Sequence, residues 1–185
     1  MLYIIDKEND AIHNYKPSRV NCIKTNGGVF MKIRWKTLII SLVISLGVGA
    51  ISGFLSKDSM QSYSELIKPA LSPPGWVFPV VWTILFALMG ISAYLVFISN
   101  SPNSKQALYY YFIQLGINFL WPLLFFNLEA YLFSFFWLVL LWIFILLMIL
   151  EMKKANEKAA YLQIPYFLWV TFAGYLNFMI YLLNK

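Results

Sequence analysis

Indole and amide side chains at helical spacing are the groups in this sequence best placed to do chemistry. Gln114, Asn118 and Trp121 recur at intervals that put them on one face of a helix. Trp82, Phe86 and Met89 share a second such face, and Tyr166, Trp169, Ala173 and Asn177 a third. Flat aromatic faces stack on flat apolar ligands, and a carboxamide among them can orient such a ligand with one hydrogen bond. The same residues also read as packing, with tryptophans in interface belts and amides bonding from helix to helix. The residue types leave both readings open.

Other chemistries are excluded by what is missing. Cys22 is the only cysteine and His13 the only histidine, and both lie before residue 31. No disulfide, no Cys/His zinc site and no Cys–His nucleophile pair can be assembled from them. The expectation is therefore no metal and no cofactor. The net charge of +6 does not point to nucleic acid, because most basic residues sit in short segments flanking apolar blocks.

The elements that must position the indoles and amides are long apolar runs. The chain has 185 residues, 61% hydrophobic and 12% charged, against about 25% charge in an ordinary soluble domain. Each run is long enough to cross a hydrocarbon core of about 30 Å. Spans are expected over residues 37–55, 74–98, 106–126, 131–150 and 159–183. Only helices or closed barrels cross a bilayer, and these runs lack the alternation of barrel strands. The fold class is all-α, an integral membrane bundle of five transmembrane helices.

Residues 1–30 have no helical or strand period and form a separate segment before the membrane domain of residues 31–185. Met31-Lys-Ile-Arg-Trp-Lys36 has the look of a natural N-terminus, so 1–30 is read as a disordered tail or as sequence upstream of the true start. The first span is long and glycine-rich and lacks a clean small-x-small cleavage site followed by a soluble domain, which argues against a cleaved signal peptide. Gly49 and Gly53 have the spacing that lets helices approach closely. Ser72, before Pro73-Pro74, is suited to cap the second span, and Pro122 should bend the third. The very short connection at 127–130 makes spans three and four antiparallel neighbours.

Lys32, Arg34, Lys36, Lys105, Lys153, Lys154 and Lys158 fall on one side, and Lys57, Lys68 and Lys185 on the other. The positive-inside rule then puts the N-terminus in the cytoplasm and the C-terminus and first loop outside, in the plasma membrane. No span carries a charge at its middle, where pumps and ion-coupled transporters place their ionisable groups. No internal repeat of the kind found in inverted-repeat transporters is visible.

Three segments carry a family likeness. Lys68-Pro-Ala-Leu-Ser-Pro-Pro-Gly-Trp-Val-Phe-Pro-Val-Val-Trp82, Gln114-Leu-Gly-Ile-Asn118-Phe-Leu-Trp121-Pro and Pro165-Tyr-Phe-Leu-Trp169-Val-Thr-Phe-Ala173-Gly-Tyr-Leu-Asn177 together resemble the TspO/MBR family of translocator and tryptophan-rich sensory proteins. The likeness runs from about residue 35 to the end. It implies a five-helix bundle, often a homodimer, whose cavity binds porphyrins and aromatic drug-like molecules beneath a lid formed by the first loop. On the matching positions, Tyr63 and Pro73 are implied as loop-side contacts and Trp82, Asn118 and Trp169 as central ones. Ala173 is implied as a small wall position, and Phe86 and Trp121 join the ligand-binding set by their shared faces. The resemblance also links Trp82 and Trp169 to light- and oxygen-dependent breakdown of protoporphyrin IX. Leu71 replaces a tryptophan usual in the family's loop motif. Phe178 and Leu182 replace the tyrosine and arginine of the animal cholesterol motif, so the resemblance does not extend to steroid binding.

Three functions follow as expectations: a tetrapyrrole-binding membrane receptor or regulator able to degrade its ligand slowly in light, a facilitator moving porphyrins or other lipophiles, and a non-catalytic membrane scaffold. The expected partners are a porphyrin or other flat lipophile, the lipid bilayer and a second copy of the chain.

Overall fold

Backbone polar groups in hydrocarbon must find partners within their own segment, so apolar runs of this length coil. A computed structural model of the chain describes residues 22–25, 28–31, 33–59 and 65–185. It divides into two units, Met1–Arg34 and Trp35–Lys185. In the first, β1 (Cys22–Thr25) pairs antiparallel with β2 (Gly28–Met31), Cys22 opposite Met31 and Thr25 opposite Gly28. Such a ladder is made of backbone bonds and gave no alternating signal in the sequence. Residues 1–21 of the expected tail lie outside the described residues.

The second unit is helical. Helices α1 (Trp35–Ser56), α2 (Val77–Ser99) and α3 (Ser104–Pro122) are followed by a single π-turn, Leu123–Asn127, and by α4 (Tyr131–Ala155). The fifth span is two pieces in sequence, α5 (Glu157–Tyr161) and α6 (Ile164–Leu183). Among the described residues, five segments are long and apolar enough to cross a membrane: Trp35–Ser56, Val77–Ser99, Ser104–Asn127, Tyr131–Ala155 and Glu157–Leu183. Helix α1 packs on α2 and α3, α3 on α4, and α4 on α6.

Ser72 does not cap α2. That helix starts at Val77, whose N–H donates to the Pro74 carbonyl at 3.0 Å, and the residue before it, Trp76, makes no side-chain cap bond. Each proline holds the residue before it in extended backbone, so the chain turns before it coils. The Ser72 hydroxyl is buried with no hydrogen-bond partner among the described residues.

Close approach of α1 and α2 rests on a glycine from each helix. A Cβ at Gly90 would lie 3.0 Å from the Leu42 Cα and 3.1 Å from the Ser41 carbonyl oxygen, and one at Gly49 would overlap the Phe86 ring. Gly53 has no atom within 4 Å of its would-be Cβ and lines a cavity instead.

Prolines interrupt two helices, and a serine repairs each interruption. After Pro122 the helix loses its regular bonding: the Leu123 N–H turns to the Leu120 carbonyl, and the Leu128 N–H reaches back to Leu123 at 3.0 Å. The Phe119 carbonyl, whose regular partner is the Leu123 N–H, instead accepts the Ser52 hydroxyl at 2.9 Å. Ahead of Pro165, the Gln163 N–H bonds Ala160 at 3.0 Å, and the freed Ala159 carbonyl accepts the Ser92 hydroxyl at 2.7 Å. Broken helices in hydrocarbon persist only where neighbours satisfy the released groups in this way. The π-turn also re-aims Phe125 and Phe126, both of which face the cavity.

Candidate functional site

Asn118 sits one helical turn from Gln114 on α3, and its side chain is held rather than free. Its Nδ2 donates to the Tyr166 hydroxyl at 2.8 Å, and that hydroxyl donates to Gln114 Oε1 at 2.8 Å. Gln114 Nε2 lies 3.6 Å from the Met89 sulfur. Gln114 and Tyr166 are fully buried and Asn118 is 3% exposed. The relay leaves one acceptor over. Asn118 Oδ1 takes no hydrogen bond among the described residues and is not sealed off, and Asn118 lines a cavity of about 460 Å³.

Aromatic rings form the wall beside it. Trp82 is tilted against Phe86 with centroids 5.8 Å apart and against Trp121 at 6.3 Å, and stands edge-on to Tyr166 at 6.2 Å. Trp121 in turn stacks on Phe125 at 5.5 Å. These rings make a continuous surface from Phe86 to Phe125 within the offset and edge-to-face range that aromatic pairs prefer. Trp121 is pinned from behind: its indole N–H donates to Asn177 Oδ1 at 3.3 Å, which also accepts the Ser134 hydroxyl at 3.1 Å. Asn177 Nδ2 is taken by the Tyr131 carbonyl at 2.8 Å.

Ala173 lines the cavity at the α6 wall, 6% exposed. Gly49, Gly53 and Gly75 leave space that side chains would fill. Among the described residues, no charged side chain lines it. A void of this size with apolar walls and a few fixed polar groups is the ordinary form of a small-molecule site, for which about 300–1,000 Å³ is usual.

Of the residues singled out from sequence, Trp82, Phe86, Asn118, Trp121 and Ala173 come together on this cavity. Trp169 stands one ring removed. It meets Phe78, which does line the cavity, edge-on at 6.0 Å, and Phe172 at 5.7 Å. Its indole N–H is buried with no partner among the described residues. Pro73 is half-buried in the turn before α2 and is not part of the lining. Tyr63 lies outside the described residues. Met89 points away into the core.

Sequence reasoning passed over Phe78, Phe125, Phe126 and Ser56. Phe78 carried a usable signal, one turn before Trp82 on the same face of α2. Phe125 and Phe126 did not, because their facing depends on the π-turn after Pro122.

Comparison with known proteins accords with this architecture. Residues 40–183 match the model of the TspO/MBR family. The chain is 40% identical over 153 residues to a tryptophan-rich protein TspO of Chlorobaculum tepidum, covering 80% of this chain and 96% of that one. It is 37% identical over 148 residues to a TspO of Archaeoglobus fulgidus, again covering 80% and 96%. A translocator protein of Ovis aries is 30% identical over 135 residues, covering 71% of this chain and 80% of its own length. With five membrane-crossing helices and these relatives, the chain is an integral, multi-pass membrane protein, and it belongs to the TspO/MBR family.

Proposed function

We propose that the protein is a membrane receptor for a tetrapyrrole such as protoporphyrin IX, which it holds inside the bundle between α1, α2, α3 and α6. One observation carries the reading: Asn118 Oδ1, left over by the Tyr166–Gln114 relay, faces a cavity walled by Trp82, Phe86 and Trp121. A flat macrocycle would bury its faces against the rings, and Asn118 Oδ1 is an acceptor open to a polar hydrogen at the ligand's edge. Burial of apolar surface drives the binding, and the amide sets orientation. Relatives are named for sensing, in Cereibacter sphaeroides, and for translocation, in Ovis aries.

Transport is the second reading. Among the described residues no charged side chain lines the cavity, which favours facilitated passage over coupling to an ion. Light- and oxygen-dependent breakdown of the ligand would draw on an oxidisable indole near it; Trp82 lines the cavity and Trp169 stands one ring away. The distribution of basic residues supports a cytoplasmic N-terminus and a first loop outside.

The test fills the void. Ala173→Phe places a ring in the cavity, and protoporphyrin titration of the purified protein in nanodiscs is expected to show binding reduced by at least tenfold. Thermal stability should be unchanged or raised, because a void loses partner atoms that a larger side chain restores. Full-strength porphyrin binding in a folded Ala173→Phe protein would remove the cavity from the account.

A further inference from the structure

Helices α1 and α2 are sealed against each other over one half of their length and parted over the other. On α2 the stripe toward α1 reads Gly90, Phe86, Thr83 and Pro79, each about one turn from the next. Its first half is closed. A Cβ at Gly90 would crowd Leu42, the Phe86 ring lies against Gly49, and the Phe86 carbonyl accepts the Ser45 hydroxyl at 2.6 Å. Its second half is open: Thr83 and Pro79 are exposed, and so are Ala50 and Gly53 on α1. All four of these exposed residues also line the cavity.

The glycines of α1 mark where the two helices part. A Cβ at Gly49 would overlap Phe86, whereas one at Gly53, a single turn further on, would meet no atom within 4 Å. Beyond Gly49 the bonds of α1 lead elsewhere. The Ser52 hydroxyl donates to the Phe119 carbonyl of α3 at 2.9 Å, and the Leu55 carbonyl accepts Asn127 Nδ2 from the π-turn at 2.9 Å. This end of α1 is therefore held toward α3, which leaves a gap on its α2 side. Outside the gap stand Ile51 and Phe54 of α1 and Val80 and Ile84 of α2, all large, apolar and exposed. Such faces on membrane-crossing helices are turned to hydrocarbon and not to water. The rim is apolar as well, because the Thr83 hydroxyl is already spent on the Pro79 carbonyl at 2.7 Å.

We propose that the gap between Ala50 and Gly53 on α1 and Pro79 and Thr83 on α2 is a lateral portal, through which the site takes flat lipophiles directly from the bilayer. A planar ring system can enter edge-first, and the small residues on the α1 lip keep the passage from being filled. Ligands are then selected before they reach the cavity, by whether their ring system dissolves in hydrocarbon, with any charged substituent trailing at the interface. The portal opens in the half of the membrane next to the first loop, since Gly53 lies one turn from the end of α1 and Pro79 near the start of α2. The proposal rests on the cavity reading above and adds the route to it.

A removable plug on the rim tests the route. Thr83→Cys, in a Cys22→Ser background, is labelled in detergent with benzyl methanethiosulfonate, checked by intact mass and placed in nanodiscs. Protoporphyrin IX dimethyl ester is the probe, followed by its own fluorescence on binding and on release into excess empty liposomes. The label is expected to slow entry and release together, by roughly tenfold or more, as a blocked passage does. Equilibrium affinity should stay within about threefold, because a barrier changes both rates alike. Reductant should restore the rates, and the same label on Leu168→Cys, exposed on α6 and outside the cavity lining, should leave them unchanged. Unaltered rates in fully labelled Thr83→Cys overturn the portal, and so does faster release with unaltered entry, which would put the label in the site itself. Either result leaves the cavity reading standing. Failure of the unlabelled protein to bind the porphyrin overturns both.

Discussion

Trp82→Ala is expected to weaken protoporphyrin binding by roughly ten- to a hundredfold. Removing an indole from the wall gives up the burial of one large side chain against the ligand, about 1.5–3 kcal/mol, and each 1.4 kcal/mol is about a factor of ten. The loss should exceed that of a peripheral contact because Trp82 touches Phe86, Trp121 and Tyr166 at once. Without it the neighbouring rings lose their mutual support. Trp82→Phe keeps an aromatic face and should fall between the two. Trp76→Ala is the control: that indole is 69% exposed in the turn before α2, and its loss should leave affinity within about twofold. The porphyrin's own fluorescence gives the readout, so that removing a tryptophan does not alter the signal measured. Equal affinities in wild type and Trp82→Ala would place the ligand elsewhere.

Tyr166→Phe should be the most damaging single-atom change in the bundle. The hydroxyl joins Asn118 Nδ2 to Gln114 Oε1, and deleting it strands both amides in the core. Hydrogen bonds between transmembrane helices are individually modest, about 0.6 kcal/mol on average. The larger cost is leaving buried polar groups without partners, about 1–3 kcal/mol. We expect a total near 2 kcal/mol, seen as a fall of roughly 4–8 °C in the melting temperature. Porphyrin affinity should fall several-fold as well, because Asn118 is then free to rotate its oxygen away from the cavity. Tyr109→Phe, at a side chain 59% exposed, should change neither. A Tyr166→Phe protein with wild-type melting and affinity would mean that the relay positions nothing.

Spans are legible in this sequence because a bilayer permits so few structures: an uncharged apolar run of about twenty residues has to coil. The α3 face of Gln114, Asn118 and Trp121 was legible for the same reason, since a helical period fixes which side chains share a side. What a face meets is another matter. Gln114 and Asn118 find Tyr166 across 52 and 48 positions, and nothing local marks that partner. Trp169 shares a nominal face with Ala173, yet Ala173 opens on the cavity while Trp169 packs against Phe78. Packing between helices far apart in sequence decides this, and a single sequence carries no direct record of it.

Irregular backbone accounts for most of the remaining differences. Pro122 was expected to bend α3; it ends the regular helix and starts a π-turn, which brings Phe125 and Phe126 onto the cavity. Pro73 and Pro74 were expected to begin α2, but the chain turns through Gly75 and Trp76 first. Gly49 was read as a packing glycine and is one, against Phe86, whereas Gly53 leaves room in the cavity. Ser56 gave no signal at all, because a serine at the end of an apolar run reads as the start of a loop. Its unpartnered hydroxyl appears only when every neighbour is in place.

The most direct measurement is the structure of the protein with protoporphyrin IX bound in nanodiscs, at a resolution that places the macrocycle. The account predicts planar density inside the bundle, one face against Trp82 and Trp121, with an edge of the macrocycle beside Asn118 Oδ1. Density on the lipid-facing surface, with the cavity between α1, α2, α3 and α6 still empty, would contradict it.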